Sequence, residues 1–384
     1  MVVIVFVIVV VVSHGGDRSG AFATVRSMQA LQIHAGPRAL NHLRERGLHP
    51  ADVRVIPAAA GGPKGLVLNP LDRFLFGHWL AGSAQTVHLL GASIGAWRMA
   101  SACARDADAA FAQMAADYIA QSYEHEPGKP PKAAHVSAVF GAKLSERFAG
   151  REAELLGHPR YRLHIFTSRG RHLLRREGRL RTPLGYLGAF ATNALSRKAM
   201  GGWLERVIFS DPRDALPLHL RDFRTHVVPL TAANLQPSIL ASCSIPFWLQ
   251  AVHDIPGAPR GAYWDGGITD YHLHLDYASM GEGLVLYPHF QKTVIPGWLD
   301  KALRHRHRAT AHLDNVIVLS PRAEWIATLP NAKLPDRGDF QHYGDDLGSR
   351  MAAWSHAVAE SARLADEFAA WLESPGRIEV QPLA

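Results

Sequence analysis

The sequence predicts an α/β fold of three layers, αβα, with a mainly parallel central sheet. Three observations lead there. From about residue 28, short apolar runs alternate with helix-prone segments, the pattern of a sheet covered on both faces by helices. Two of these runs end in glycine-rich turns, which belong at the carboxyl ends of parallel strands. The 384 residues are 47% hydrophobic and 20% charged, ordinary for a globular protein, with no linker, low-complexity tract or internal repeat. One domain over residues 28–384 is expected, carrying a helical insertion at residues 171–224.

Residues 1–27 stand apart. Val2 to Val12 is an unbroken β-branched and aromatic run of eleven residues. At about 1.5 Å per residue a helix of that length falls well short of a ~30 Å hydrocarbon core. No basic segment precedes it, and Asp17 and Arg18 separate it from Ala21-Phe22-Ala23, which imitates a signal cleavage site. The segment reads as an extension outside the fold, upstream of a true start near Met28, with a targeting signal or anchor, or a true folded strand, as the alternatives. Beyond it the pattern gives a helix at residues 37–47, a strand at 53–58, a glycine loop with a helix to about 80, a strand at 86–91 and a helix behind Ser93. Further strands are expected at residues 161–167, 226–230, 283–287 and 315–319. A last long helix at residues 345–373 places Met351, Trp354, Val358, Leu364, Phe368 and Leu372 for packing across the sheet.

Chemistry gathers at the glycine-rich turns. Ser93 sits in Gly91-Ala92-Ser93-Ile94-Gly95, after the apolar run Val87-His88-Leu89-Leu90 and before helix-prone residues, the layout of a nucleophile elbow. A Cβ at either flanking glycine would crowd so tight a turn. Alone, such a string arises by chance in roughly one chain of this length in ten. The loop Ala60-Gly61-Gly62-Pro63-Lys64-Gly65 follows another strand and presents backbone N–H groups suited to an oxyanion or a phosphate. Pro63 has no N–H, so Gly61 and Gly62 are the donors, with Ile94 as a third from the elbow. Lys64 is followed by Gly65 rather than Ser or Thr, which excludes a phosphate-binding P-loop. Asp265-Gly266-Gly267 follows the apolar-aromatic Ala262-Tyr263-Trp264 and puts a carboxylate at or just past a strand end. In a parallel sheet Asp265 and Ser93 would share one rim.

With these motifs in this order, the chain resembles the patatin-like phospholipases, also called lipid acyl hydrolases. Gly61-Gly62-Pro63-Lys64-Gly65 is similar to the family's oxyanion loop, Gly91 to Gly95 to its serine elbow, and Asp265-Gly266-Gly267 to its aspartate motif. Ala241-Ser242-Cys243-Ser244-Ile245-Pro246-Phe247 resembles the small-residue stretch ending in proline before the aspartate strand. The resemblance spans about residues 53 to 290. One departure is Ala60, where the family has a first glycine; a positive φ there would strain alanine. The resemblance implies a patatin-like fold and a Ser93–Asp265 dyad in which the aspartate takes the serine proton without a histidine between them. It also implies an acyl-enzyme intermediate, a lipid ester substrate and no metal or organic cofactor. An aspartate near its reference pKa of about 3.9 is a weak base toward a hydroxyl, so the site must raise it or lower the serine's. Lys64 either assists electrostatically or is a solvated lysine at a helix start.

Rival readings remain at this stage. The chain has 22 histidines, and His272, His274, His289 and His312 follow Asp265 in the Ser-Asp-His order of α/β-hydrolases. His272, His274 and Asp276 alternate at period two, as on a polar strand face or a metal site. A thioesterase or acyltransferase would use the same acyl-enzyme, and a silent lipid-binding scaffold would keep the fold.

The net charge of +7 favours anionic surfaces. No nucleic-acid motif is present, so the expected partners are a lipid ester and, peripherally, an anionic membrane. The basic clusters at residues 169–181 and 301–308 read as solvated faces. Cys103 and Cys243 are too few for a disulfide framework, read as core fillers and fit a reducing, cytoplasmic setting, while the apolar start leaves secretion open. Residues 171–224 hold Leu184 to Phe190 and Gly201-Gly202-Trp203-Leu204 among arginines, a composition that suits a lid, a membrane-facing surface or an ordinary insertion.

Overall fold

Strands covered on both faces lose polar alternation. Val53–Ala58 is buried at every position except Arg54, and Val87–Ala92, Leu284–Pro288 and Val316–Pro321 are buried throughout. A computed structural model describes residues 28–126 and 128–383; the Val2–Val12 run lies outside them. Among the described residues there are eleven strands: β1 (Leu31–Ala35), β2 (Val53–Ala58), β3 (Val87–Ala92), β4 (Tyr161–Gly170), β5 (Leu204–Ser210), β6 (Thr225–Pro229), β7 (Val252–His253), β8 (Ala262–Trp264), β9 (Leu284–Pro288), β10 (Val316–Pro321) and β11 (Val380–Pro382). They form one sheet in the order β11-β1-β10-β9-β2-β3-β4-β5-β6, with β8 also on β4 and β7 on β8. The central block β10-β9-β2-β3-β4 is parallel. Antiparallel pairing begins where β1 joins β10 and β5 joins β4. The protein is therefore an α/β fold with a mixed, mostly parallel sheet flanked by helices.

Local pattern and structure agree where apolar runs are continuous. The helix Pro37–Arg46, β2, β3, β6, β9 and β10 fall within a residue or two of expectation, and β4 runs three residues longer. The segment after the glycine loop is less regular than one helix, passing from a 3₁₀ turn over Gly62–Leu68 into Asn69–Phe74 and a π turn over Leu75–Trp79. The last helix divides at Ser361 into Leu347–Glu360 and Ala362–Glu373. The Ser361 hydroxyl donates back to the Val358 carbonyl at 2.7 Å, a local bond that competes with a straight helix.

The expected insertion at 171–224 is corrected most. Its later part holds β5, buried along its whole length and paired with β4 from His164↔Ser210 to Gly170↔Leu204. Charged Glu205 and Arg206 hid this strand, yet both are buried because partners far along the chain neutralise them. Arg169 pairs with Glu205, and Arg206 reaches Asp270 at 2.5 Å and Asp222 at 2.8 Å. Arg169 is thus not part of a solvated face. Trp203 is not outward-facing either: a Cβ at Gly188 would lie 2.4 Å from its ring, so it packs beneath the helix Arg181–Leu195. Cys103 and Cys243 are free and buried.

Beneath the Ser93 elbow, the helix Ile94–Ala102 is tied to Asn69–Phe74 by a fully buried ion pair. Arg98 donates to both oxygens of Asp72 at 2.8 Å. Removing one member strands a charge in the core. Asp72→Ala should lower the unfolding free energy by about 3–5 kcal/mol in denaturant titration, and replacing both residues with apolar ones of similar volume should recover most of that loss.

Candidate active site

The site exists because β4 outlasts β3. Ala92, the last residue of β3, pairs with Phe166, while farther along the same edge of β4 Trp264 of β8 pairs with Ser168. β3 runs parallel to β4 and β8 antiparallel, so the two strands meet head-on with only the level of Thr167 between them. Ser93 is the next residue of one and Asp265 the next residue of the other. The sequence reading placed the aspartate on the rim of a parallel sheet; it reaches that rim from an antiparallel strand. At about 3.3 Å per residue, head-on termini bring two side chains to one point.

Ser93 holds φ 57° and ψ −128°, a left-handed conformation that is rare for a residue with a side chain. Its N–H donates to the Ser242 hydroxyl at 2.8 Å, and Ser242 donates in turn to the Phe166 carbonyl at 2.7 Å. Its carbonyl accepts from Ala96 at 2.8 Å, opening the helix. Gly91 lies in β3, and Gly95 in the helix must lack a side chain, since a Cβ there would stand 1.9 Å from the Ala58 carbonyl oxygen.

The Ser93 hydroxyl donates to Asp265 Oδ2 at 2.6 Å. The other carboxylate oxygen accepts from the Gly267 N–H at 2.7 Å. Asp265 N–H donates to Ser244 O at 2.9 Å, Gly266 N–H to Ser242 O at 3.1 Å, and Ser168 Oγ to Asp265 O at 2.9 Å. The small-residue stretch therefore positions both members of the pair. Burial pushes the Asp265 carboxyl up to about 6, against the Ser93 hydrogen bond, Arg337, the Gly267 N–H and Lys301, which all favour its charged form. Loss of water thus makes this carboxylate a stronger base than a solvated aspartate.

The glycine loop lies opposite. Positive φ falls on Gly62 (57°) and not on Ala60, whose N–H donates to Tyr271 O at 2.9 Å, so alanine is unstrained there. Gly61 abuts the Phe290 ring and Gly65 abuts Ile94. Among the described residues the N–H groups of Gly61, Gly62 and Ile94 have no protein acceptor; Gly62 and Ile94 each open a helical turn, where free donors are expected. Two cavities meet at Ser93. One, about 320 Å³, is lined by Gly61, Lys64, Asp265, Lys301 and Arg337; the other, about 120 Å³, by Ile94, Tyr118, Val136, Phe140 and Leu249.

Among the described residues no histidine reaches the pair. His272 Nδ1 lies between Thr293 O and Ile295 N, and its ring stands against His289; His274 bonds Thr310, and His312 pairs with Asp276. Residues 272–276 are not a strand, so the period-two spacing gathers no face, and their side chains go to separate partners. Lys301 and Arg337 were missed. Lys301 was absorbed into a basic cluster read as solvated, and Arg337 carries no motif at all. Among the described residues no helix is long and apolar enough to cross a membrane.

The chain matches no protein-family model, and a search of curated proteins finds no match.

A carboxyl that takes a serine proton must be ionised, and burial has raised the Asp265 pKa, so if the pair works as a dyad the rate of fluorophosphonate labelling at Ser93 should rise with pH through about 6 and level off above it. Arg337→Gln removes a cation that favours the carboxylate and should move the midpoint upward.

Proposed function

We propose that the protein is a serine acyl hydrolase of the patatin-like kind, cleaving carboxylic esters of lipids. The observation that carries this reading is the direct 2.6 Å hydrogen bond from Ser93 to the buried Asp265 carboxylate beside free backbone donors. Motif order and the mixed sheet support a patatin-like version of the three-layer fold. Asp265 takes the hydroxyl proton as Ser93 Oγ attacks the ester carbonyl, and the N–H groups of Gly61, Gly62 and Ile94 stabilise the oxyanion. Collapse breaks the bond to the alcohol, which leaves with the proton returned by Asp265. Water then gives its proton to the same carboxylate and attacks the acyl-enzyme, and as the bond to Ser93 Oγ breaks Asp265 returns that proton to Oγ and the acid leaves. The apolar cavity by Val136 and Phe140 suits the acyl chain.

Wild type should label with a fluorophosphonate and hydrolyse a short nitrophenyl ester. Ser93→Ala and Asp265→Asn should lose turnover by about a thousandfold or more. A folded wild type that neither labels nor turns over would sink the reading, and activity surviving in Asp265→Asn would remove the dyad.

The helix Arg181–Leu195 supports action at a lipid surface. Its inner face sets Tyr186 edge-on against Trp264 at 5.8 Å, next to Asp265. Its outer face exposes Leu184 and Leu187 (56% and 62%) and Phe190, among exposed Arg175, Arg176, Arg179, Arg181 and Lys198. Apolar side chains ringed by cations suit an anionic bilayer. Replacing Leu184, Leu187 and Phe190 with serine should lower turnover on anionic vesicles by about tenfold while sparing a monomeric ester. Equal losses on both substrates would count against a lipid-facing role.

A further inference from the structure

Another cavity, of about 590 Å³, lies at the opposite rim of the sheet, where β2, β3 and β9 begin. Its wall holds Arg54 of β2, Gln85 just before β3 and Glu282 just before β9. The helix Pro37–Arg46 closes one side. Its Arg38, His42 and Arg46 stand four residues apart and so form one stripe along the cavity, beside the core face of Ala39, Leu40 and Leu43. Ser93 and the glycine loop belong to the carboxyl ends of the same strands. Along β2, from Arg54 to the glycine loop, the chain covers roughly 20 Å at about 3.3 Å per residue, so the two sites are separate.

This rim carries positive charge that the described residues do not neutralise. Among them Arg38, Arg46 and Arg54 have no ion-pair or side-chain hydrogen-bond partner, and Arg38 Nη2 is buried without one. Of the two carboxylates on the wall, Asp52 is committed, accepting from the His49 N–H at 2.8 Å and lying 3.3 Å from His42 Nε2. Glu282 is exposed. The arginines are placed by the backbone around them. A Cβ on Gly283, which has φ 87°, would stand 2.1 Å from Arg54 Cγ, so glycine there lets the arginine stem lie against the start of β9. The Arg38 N–H donates to Asp314 Oδ1 at 3.0 Å, which fixes the first turn of the helix beside β10. A buried guanidinium N–H without an acceptor is unfavourable, and an anion removes that cost.

Three guanidinium groups present paired N–H donors to an anion with several oxygens, which describes a phosphate better than a lone carboxylate. Gln85 and Glu282 add groups that hydroxyls satisfy. Among the described residues no Phe, Tyr or Trp lines the cavity, so a nucleobase has no ring to stack on. A lipid headgroup is the poorer source of the phosphate. The exposed Leu184 and Leu187 that suit a bilayer belong to the helix whose Tyr186 packs on Trp264 beside Asp265, at the other rim. We propose that this cavity is a second ligand site, for a small soluble phosphate ester of a hydroxyl-rich carrier, a sugar phosphate. The phosphate sits on Arg38, Arg46 and Arg54, and the hydroxyls face Gln85 and Glu282. The site stands whether or not Ser93 hydrolyses esters.

Wild-type protein, titrated calorimetrically at low salt with glucose 6-phosphate, should bind it saturably and should not bind glucose. Arg46 and Arg54 are exposed, so Arg46→Gln with Arg54→Gln should fold normally by thermal unfolding and weaken that binding by about tenfold or more. Arg38→Gln should weaken it too and stands in where the double variant does not fold. Ser93→Ala, and Lys301→Gln with Arg337→Gln, should bind as wild type does, because those residues line the other rim. Absence of saturable glucose 6-phosphate binding overturns the site, as does binding that is lost with Lys301 and Arg337 but kept without Arg46 and Arg54. Inorganic phosphate binding as tightly overturns the role of the hydroxyls, and adenosine monophosphate binding about tenfold more tightly overturns the sugar assignment in favour of a nucleotide. Anionic phospholipid vesicles that bind through Arg46 and Arg54, with no binding of glucose 6-phosphate, overturn the soluble source in favour of a lipid headgroup.

Discussion

The whole site depends on one strand having an edge to spare. β4 continues past the end of β3, and the exposed donors and acceptors of that extension must be satisfied. β8 satisfies them by entering from the opposite direction. Because β3 and β8 share one edge of β4 and run toward each other, their next residues occupy one place, and that convergence puts the Ser93 hydroxyl on the Asp265 carboxylate. Ser242, bonded at once to Ser93 N–H and Phe166 O, and Ser168, bonded to Asp265 O, tie both ends to the same strand. A shift of β8 by one residue would carry the carboxylate about 3.3 Å away and turn its side chain to the other face.

The arrangement is unfavourable locally and is stabilised from a distance. Ser93 keeps a backbone conformation that costs on the order of 1–3 kcal/mol. Asp265, raised from 3.8 to about 6, costs the fold about 3 kcal/mol near neutral pH relative to an unperturbed aspartate, and that cost fades as pH falls from about 6 towards 3.8. Buried ion pairs hold the surroundings rigid against it. Arg98 with Asp72 anchors the helix behind the serine, and Arg206 with Asp270 anchors the turn behind the aspartate. The Asp300 cluster joins the helix Arg181–Leu195 to the loop that carries Lys301. Each leaves a severe penalty if half is removed, so together they restrict the site to one geometry.

Much of the fold was legible in the sequence where its cause is local. Apolar runs without alternation mark β2, β3, β9 and β10 because central strands are buried on both faces. The glycines of the elbow declare themselves because a Cβ on Gly91 would stand 2.5 Å from the Gly95 carbonyl oxygen of the same turn. β5 was illegible, since Glu205 and Arg206 contradict a buried strand until Arg169, Asp222 and Asp270 arrive from elsewhere. The long final helix was read through its break, because the Ser361 back-bond to Val358 leaves no mark on the hydrophobic period.

By itself the sequence singled out the candidate residues: a serine in a turn too tight for side chains, a loop of free N–H groups and an aspartate after a short apolar strand. Those properties belong to contiguous residues, so no partner is needed to see them. Only the tertiary structure decided that serine and aspartate touch, that among the described residues no histidine stands between them, and that burial raises the carboxyl's pKa. It alone brought Lys301 and Arg337 to Ser93 with no ion-pair partner among the described residues, because pairing and burial are properties of neighbours that the order of residues along the chain does not name.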